Sequence, residues 1–357
     1  MSASSKFSLT PRQAYWTLAI VLAIVLIALL IYLLFLLGPH SLVTRGGDAK
    51  AGLEPVLVIE GPGTGSAPTF SRPLGAALAP DGRIYVSDTG NNRVVVFSPT
   101  GRYLFEFGGL GVAKPAPGVD ATWAEGTLNF PVGIDVGENG DVYVADFRND
   151  QIQVFDAEGK FLRRFPDPTT VVGKGASGQD GTGIAVTDVE VHGDKIYATD
   201  AYQIVVFSTK GALLGQFGRP GSGVGELDRP NGIAVAPNGT VYVSDSNNNR
   251  IVAFGPDGGP LWTSGQPVDD IEGAVDYTFA LPRDIAYGEE LGLIVVDAFE
   301  FSLVQLTTGG TVVASYGERG TEPAQLNFPN GIDVEGNRLL VADKENNRVQ
   351  LLELVEK

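Results

Sequence analysis

The hydrophobic and polar positions of this chain follow a pattern that recurs six times. In the clearest copy, residues 227–258, three short apolar runs alternate with polar turns at Asn238-Gly239, at 245–249 and at 256–258. A fourth apolar run follows at 261–264. Apolar runs this short between Gly, Asn and Pro turns predict four antiparallel strands joined as a meander.

One aspartate closes the second strand of every copy and sets the copies in register. The six recur at intervals of 45 to 58 residues: Asp88, Asp146, Asp200, Asp245, Asp297 and Asp343. Four-stranded units at this period are typical of propeller blades, with the variable length falling in the linkers. The sequence therefore predicts an all-β fold, a six-bladed β-propeller of four-stranded antiparallel blades over residues 54–357.

Three short motifs resemble the NHL-repeat family of β-propellers. They are Pro-Asn-Gly-Ile at 230–233 and 329–332, Tyr-Val-Ser-Asp at 85–88 and 242–245, and Asn-Asn-Arg at 91–93, 248–250 and 346–348. The resemblance covers residues 54–354 and extends to the sensor propellers of bacterial receptor kinases. It implies the fold more than the function, because propellers host enzymes, sensors and scaffolds alike.

The two ends of the repeat region predict how the ring closes. Residues 56–60 resemble a fourth strand without a blade, and the last unit stops after its third strand, at 349–354. Since an open ring leaves strand edges unpaired, we expect residues 56–60 to complete the sixth blade beside 349–354.

A membrane anchor is predicted before the propeller. Residues 15–37 are uncharged and mostly apolar, long enough for a helix to cross about 30 Å of bilayer and longer than the core of a cleavable signal. Residues 1–14 contain Lys6 and Arg12 and no acid, which favours a cytoplasmic tail. Residues 38–53 are then a tether, and the propeller is expected outside the cytoplasm of a single-pass membrane protein.

Composition narrows the chemistry and the partners. The chain has no cysteine, which excludes disulfides and thiolate metal sites. Residues 51–357 hold all but four of the 25 basic and all but one of the 42 acidic residues, a net charge of −20. Because nucleic-acid binding needs a basic face, no nucleic-acid partner is expected.

The repeated Asp and Asn-Asn-Arg residues are expected to be structural, since Asp and Asn side chains bond nearby backbone in turns. Function is expected where the repeat is broken. Several blades replace the polar turn after the second strand with other residues, and we take these as candidate partner-binding residues: Phe147, Arg148, Tyr202, Phe299 and Phe301. Packing of the rings under long linkers is the other interpretation.

A second set of departures lies where the blades open onto the central channel. Asp188 and Asp284 replace the usual Gly, Arg283 replaces an Asn, and Asn231 and Asn330 remain. These five are candidate ligand-binding residues if they form a polar cup, and they are equally consistent with a self-satisfied network that closes the channel. Both sets lie on one face of the disc, where we expect the binding site between blades 2 and 5.

No catalytic residue, metal ligand or cofactor is predicted. Gluconolactonase-type propellers hold a divalent metal with Glu, Asn and Asp, but this chain has Leu74 at the Glu position and matches cleanly only at Asn231. The amidating lyases need clustered zinc-binding His, and His40 and His192 are well separated. The sequence favours a membrane-anchored binding, scaffold or sensor module for a protein, peptide or glycan. The alternative is a metal-dependent hydrolase or lactonase that uses the channel mouth.

Overall fold

The computed structural model describes residues 51–63, 69–112, 124–166, 185–264 and 278–356. These residues form six four-stranded antiparallel sheets, the blades of a propeller, which confirms the predicted fold class. No helix within them is long and apolar enough to cross a membrane. The predicted transmembrane helix and cytoplasmic tail lie outside the described residues, as does most of the predicted tether.

The strands follow the repeat along the chain. It begins with β1 Ala51–Ile59. Blade 1 contains β2 Gly75–Leu78, β3 Ile84–Asp88, β4 Arg93–Phe97 and β5 Tyr103–Gly108. Blade 2 contains β6 Pro131–Val136, β7 Val142–Asp146, β8 Gln151–Phe155 and β9 Phe161–Phe165. Blade 3 contains β10 Val186–His192, β11 Lys195–Asp200, β12 Gln203–Ser208 and β13 Leu213–Phe217.

The second half repeats the arrangement. Blade 4 contains β14 Gly232–Val235, β15 Val241–Asp245, β16 Arg250–Phe254 and β17 Pro260–Thr263. Blade 5 contains β18 Pro282–Gly288, β19 Gly292–Asp297, β20 Ser302–Leu306 and β21 Val312–Tyr316. Blade 6 contains β22 Ile332–Glu335, β23 Arg338–Asp343, β24 Arg348–Glu356 and β1. Short 3₁₀ turns follow four of the second strands, at Thr89–Asn91, Phe147–Asn149, Ser246–Asn248 and Lys344–Asn346.

The ring closes through a strand from the beginning of the described chain. β1 pairs antiparallel with β24 along its length, with Ile59 opposite Val349 at one end. The predicted pairing of residues 56–60 with the last blade is therefore present. The strand begins earlier than predicted, because residues 51–53, which the sequence suggested as part of the tether, continue the ladder.

The core lies between neighbouring blades. In blade 1, Ile84 and Val86 pack toward blade 6, and Tyr85 packs toward blade 2. None of the three has exposed surface. A second strand is therefore a continuous apolar run, because both of its faces meet another blade. The outer strand β13 has only exposed and half-buried residues and carries little of this core.

The glycine that opens most blades is required by the close approach of neighbouring blades at the channel. A Cβ on Gly75 would lie 2.3 Å from the carbonyl oxygen of Val132, and one on Gly232 would lie 2.4 Å from the Cα of Asp284. A larger residue at either position would push two blades apart. Blades 3 and 5 carry Asp188 and Asp284 at this position, where β10 and β18 each contain a bulge.

The six aspartates that close the second strands are buried and act as structural acceptors, as predicted. In blade 4, Asp245 accepts hydrogen bonds from the backbone N–H of Asp228 at 2.7 Å and from the side chains of Asn248 and Arg250 at 2.8 Å. Asn249 then takes a left-handed conformation, with φ of 52°. Asn tolerates that conformation better than most residues, which explains the second Asn of the motif.

Two of the motif arginines also hold the linkers that enter their blades. Arg250 donates to three carbonyl oxygens within residues 222–226, and Arg348 donates to three within residues 321–325. A parallel bridge in the second linker fixes the backbone of Arg319. We call the face that carries these linkers and the 3₁₀ turns the linker face.

Candidate functional site

The structure divides the ten candidate residues into a surface group and a channel group. Five lie in the turns that follow second strands, on the linker face: Phe147, Arg148, Tyr202, Phe299 and Phe301. The other five line the central cavity: Asp188, Asn231, Arg283, Asp284 and Asn330. The sequence suggested one site, and the structure shows two environments.

An aromatic cluster lies at the junction of blades 5 and 6. The rings of Phe301 and Phe299 meet Phe328 edge-on, with centroids 5.0 and 5.8 Å apart. The guanidinium of Arg319 lies 4.9 Å from the Phe301 ring, and the ammonium of Lys344 lies 5.8 Å from the Phe328 ring. Phe299 is 51% exposed. These five residues, the aromatic–cation cluster, form a surface that is both apolar and cationic.

Phe301 occupies a left-handed backbone position that belongs to asparagine in blades 1, 4 and 6 and to Asp150 in blade 2. Its φ is +53°, close to the +50° of Asn347 in blade 6, and a bulky aromatic residue is strained there. Asn347 uses its Oδ1 to accept a hydrogen bond from the backbone N–H of Arg72 in the next blade, at 2.8 Å. At the junction of blades 5 and 6, the ring of Phe301 contacts the ring of Phe328 in the next blade instead.

A smaller aromatic pair lies in blade 2, between the residue before its first strand and the turn after its second strand. Phe147 is half-buried, and its ring lies 6.2 Å from that of Phe130. Arg148 is exposed, with its guanidinium 4.5 Å from the Phe130 ring. Tyr202 is half-buried in the turn of blade 3 and makes no ring contact within the described part of the chain. The surface candidates therefore do not form one patch.

Asp188 and Asp284 bridge neighbouring blades near the channel mouth. Asp188 accepts the backbone N–H of Ile233 at 3.0 Å, and Asp284 accepts that of Ile332 at 2.8 Å. Burial raises the pKa of Asp284 to about 7, and burial and the nearby Asp284 raise the pKa of Asp188 well above its usual range. These contacts favour a structural network over an open cup at this pair.

The three other channel candidates lie at the mouth itself. Asn330 is buried, donates to the carbonyl oxygen of Leu74 at 2.9 Å and accepts from Nε of Arg283 at 3.0 Å. Burial lowers the pKa of the Arg283 guanidinium. Asn231 donates to the carbonyl oxygen of Arg229 at 3.2 Å and stays half-exposed. Asn330 belongs to the network, whereas Arg283 keeps donors that face the cavity.

Three further carboxyls line the channel below the mouth, and the sequence analysis missed them. Asp135 and Asp333 each accept a backbone N–H from the next blade at 2.6 Å. Burial and the nearby Asp333 raise the pKa of Asp135 to about 7, and burial raises that of Glu190 well above its usual range. The sequence did contain a signal for these three carboxyls. Asp135, Glu190 and Asp333 each lie two residues after the Gly or Asp that opens the first strand of a blade, and that first strand faces the channel.

The channel holds a small polar cavity. Its volume is about 60 Å³, enough for a few waters or one small functional group. Among the described residues, no three His, Asp or Glu side chains are placed to hold a metal ion. His192 ends β10, on the far side of the sheet from the mouth.

The aromatic–cation cluster and the smaller aromatic pair also contain residues that the sequence analysis missed. Phe130 and Phe328 precede the opening prolines of blades 2 and 6, and both have a positive φ. Arg319 lies in a linker and Lys344 in a 3₁₀ turn. The repeated Asn-Phe-Pro at residues 129–131 and 327–329 was the one signal in the sequence that marked Phe130 and Phe328, the residues directly before these prolines.

Six four-stranded blades around a channel, each second strand closed by a buried Asp, define a six-bladed β-propeller. The NHL repeat model matches residues 70–97, 128–155, 227–254 and 326–350, in blades 1, 2, 4 and 6. The chain therefore belongs to the NHL-repeat β-propellers.

Several curated proteins share part of this sequence. NHL repeat-containing protein 2 of Bos taurus is 37% identical over 84 residues, 23% of this chain and 11% of that protein. Protein brain tumor of Drosophila melanogaster is 26% identical over 151 residues, 42% of this chain and 12% of that protein. Peptidyl-alpha-hydroxyglycine alpha-amidating lyase 2 of Drosophila melanogaster is 33% identical over 141 residues, 39% of this chain and 31% of that protein. The chain thus spans at most about a third of these relatives.

Solved structures share the fold at low identity. A Bacteroides thetaiotaomicron protein has a TM-score of 0.59 at 16% identity, covering 85% of this chain and 76% of that one. A gluconolactonase from Xanthomonas campestris has a TM-score of 0.54 at 16% identity, covering 80% and 86%. A streptogramin B lyase has a TM-score of 0.53 at 18% identity, covering 87% and 100%. At these identities the likeness shows the fold alone.

Proposed function

We propose that this protein is a binding or scaffold module that captures a protein partner on the linker face, through the aromatic–cation cluster. The observation that carries the proposal is Phe301, an aromatic residue in a left-handed position where other blades use Asn or Asp. Backbone strain of this kind concentrates at functional sites. An NHL propeller with such a surface supports a binding role without requiring any reaction in the channel.

The cluster has the physical properties of a partner anchor. Phe299 leaves half of its surface in solvent, and covering a large ring releases more free energy than covering any polar turn residue. Both rings lean on Phe328, so they lose little conformational entropy when a partner docks. Arg319 lies beside these rings and suits the rim of such an interface, where acidic or aromatic groups can meet its guanidinium.

Affinity capture with a double variant tests this proposal. Phe299→Asn with Phe301→Asn installs the residues that Asn247 and Asn249 provide in blade 4. The full-length variant and the wild type are used to capture partners from solubilised native membranes, and bound proteins are quantified by mass spectrometry. We expect loss of roughly 30-fold or more in partner recovery, as for an interface hot spot, with an unchanged melting temperature.

A matched control isolates the linker face. Val313→Asn removes a side chain that is 48% exposed on β21, the outer strand of the same blade. This change should leave capture intact. Full capture by the folded double variant would contradict the proposal, and so would an equal loss with Val313→Asn.

We further propose that residues 15–37 anchor the protein in a membrane with the propeller outside the cytoplasm. The support is the uncharged apolar length of this segment and the basic residues before it. Protease added to intact cells should remove the propeller, and deletion of residues 15–37 should release the protein from the membrane fraction. Digestion only after lysis would reverse the proposed orientation.

A second candidate function is a hydrolase or lactonase that works at the channel mouth. The observation in its favour is the pKa of Asp284, about 7, which suits a general acid or base. It is supported less well, because Asp284 already accepts backbone N–H groups from Ile285 and Ile332. Turnover of gluconolactone by the purified protein with added Ca²⁺ or Zn²⁺, abolished by Asp284→Asn, would establish it.

A further inference from the structure

Arg283 holds a guanidinium at the channel mouth that lacks a carboxylate partner. Its Nε donates to Oδ1 of Asn330 at 3.0 Å. No ion pair joins it to a carboxylate of the described residues. Its two terminal nitrogens make no hydrogen bond within the described residues, and Arg283 lines the cavity. A charge held away from water is costly unless a counter-charge reaches it, so this guanidinium points to an anionic group.

The residues beside Arg283 at the mouth include no acid, although the propeller as a whole is acidic. The residues that come directly before the Gly or Asp opening each blade line the cavity at this level: Leu74, Val132, Thr187, Asn231, Arg283 and Asn330. They include one arginine and no acid, whereas residues 51–357 carry a net charge of −20. An acidic group that enters the mouth therefore meets the guanidinium of Arg283 at this level.

The carboxyls that also line the cavity form no ion pair with Arg283 among the described residues, although the nearby Asp284 partly offsets the effect of burial on the pKa of the guanidinium. Asp188 and Asp284 each accept a backbone N–H from the next blade, and burial raises the pKa of both carboxyls. Their oxygens are thus committed to the walls. The space between these walls and Arg283 belongs to the cavity of about 60 Å³, which accommodates a carboxylate group.

We propose that the mouth receives an aspartate or glutamate side chain from the protein partner, bound in two-pronged fashion by the terminal nitrogens of Arg283. This inference rests on the proposed function, since the partner that covers the aromatic–cation cluster would present the acid. A carboxylate matches the planar guanidinium fork and carries the single charge that one Arg balances. A phosphate would bring a second charge toward the carboxyls of Asp188 and Asp284, which disfavours a phosphorylated partner.

Small blocked amino acids test the proposal without any partner. The probes are N-acetyl-aspartate amide and its isostere N-acetyl-asparagine amide, which differ only in the carboxylate. Full-length protein labelled with ¹⁵N-arginine is titrated in detergent, following the Nε resonance of Arg283, and saturation transfer from protein to probe gives a second readout. We expect a saturable shift and transfer with the aspartate probe, and neither with the asparagine probe.

Variants and a third probe make each result decisive. Arg283→Lys keeps the charge but loses the two-pronged guanidinium, so it should lower the affinity for the aspartate probe roughly tenfold or more. Arg338→Gln removes an exposed cation from β23 and should change nothing. N-acetyl-glycine carries only a main-chain carboxylate. If only this probe binds, the mouth receives the carboxyl terminus of a chain and not an Asp or Glu side chain, which overturns the proposal.

The outcomes that overturn the proposal are distinct from failure of the proposed function. Equal binding of the aspartate and asparagine probes, no binding of either, or full binding to Arg283→Lys would each remove the carboxylate site. None of these results bears on whether Phe299 and Phe301 anchor a partner, because the small probes do not reach that cluster. Conversely, loss of capture with intact probe binding would leave the site as a pocket for acidic groups alone.

Discussion

The rings of Phe301 and Phe328 meet edge to face across the junction of blades 5 and 6, with centroids 5.0 Å apart and planes inclined at 72°. At the junction of blades 6 and 1, the same positions are joined by a hydrogen bond from the backbone N–H of Arg72 to Asn347. One junction thus uses an aromatic contact where another uses a polar one. The difference leaves an apolar surface on the linker face without opening the ring of blades.

The strained position of Phe301 predicts that its replacement costs little stability. Phe301→Asn should relieve about 1 kcal/mol of left-handed strain and lose about 0.5–1.5 kcal/mol of ring contact. The melting temperature should therefore change by only a few degrees. Phe301→Ala loses the ring without gaining the residue that suits this backbone, so it should melt below Phe301→Asn. A melting temperature for Phe301→Asn far below that of Phe301→Ala would contradict this account.

The buried aspartates predict a much larger effect inside the repeat. Asp245→Ala leaves the guanidinium of Arg250 and the backbone N–H of Asp228 without their acceptor, at a cost of about 3–5 kcal/mol. Asp257→Ala removes one exposed turn contact and should cost no more than about 1 kcal/mol. Urea denaturation followed by tryptophan fluorescence compares the two midpoints. Similar midpoints for both variants would show that the repeat aspartate is not the acceptor on which the turn depends.

The register of the closing strand predicts a disulfide. Glu54 lies opposite Glu353 in the ladder of β1 and β24, so two like charges face each other. Because the chain has no cysteine, Glu54→Cys with Glu353→Cys introduces a unique pair. Oxidation should form the bond and raise stability by about 2–4 kcal/mol. Mass spectrometry and melting curves check this, with Glu54→Cys alone as control, and failure to oxidise would contradict the register.

The channel carboxyls predict that stability falls as the pH rises. Burial raises the pKa of Asp135 and of Asp284 from 3.8 to about 7, so the folded protein holds more protons than the unfolded chain between these values. The stabilisation that comes from protonation of these two carboxyls is complete below about pH 4 and is lost as the pH rises through 7. The melting temperature should therefore fall between pH 5 and pH 8.

A pair of amide variants separates this effect from the general negative charge. Asp284→Asn keeps an oxygen for the backbone N–H of Ile332 and removes the titrating group, so it should flatten the pH dependence. Glu138→Gln removes one charge from an exposed turn and should leave the dependence as it is. A melting temperature that stays level or rises from pH 5 to pH 8 in the wild type would contradict the assignment.

The repeat made the fold predictable from the sequence. The candidate site was less predictable, because it depends on local geometry. The short apolar runs predict blades, because a second strand that is buried on both faces must be apolar throughout. Asp88 and its equivalents in the other copies set these runs in register. The unmatched strand at residues 56–60 predicts closure for the same reason. The contact of Phe301 with Phe328, by contrast, joins residues of different blades and depends on a backbone conformation. The channel carboxyls such as Asp135 were missed because the channel-facing positions of each first strand were not followed past the opening residue.

Site-specific photocrosslinking tests the central claim most directly. Para-benzoyl-phenylalanine replaces Phe299 in the protein expressed in its native cells, and in a second sample it replaces Val313, which is similarly exposed on β21 of the same blade. Our account predicts a discrete crosslinked protein partner from position 299 and none from position 313. No crosslink at position 299, or the same products from both positions, would contradict the claim that the aromatic–cation cluster binds the partner.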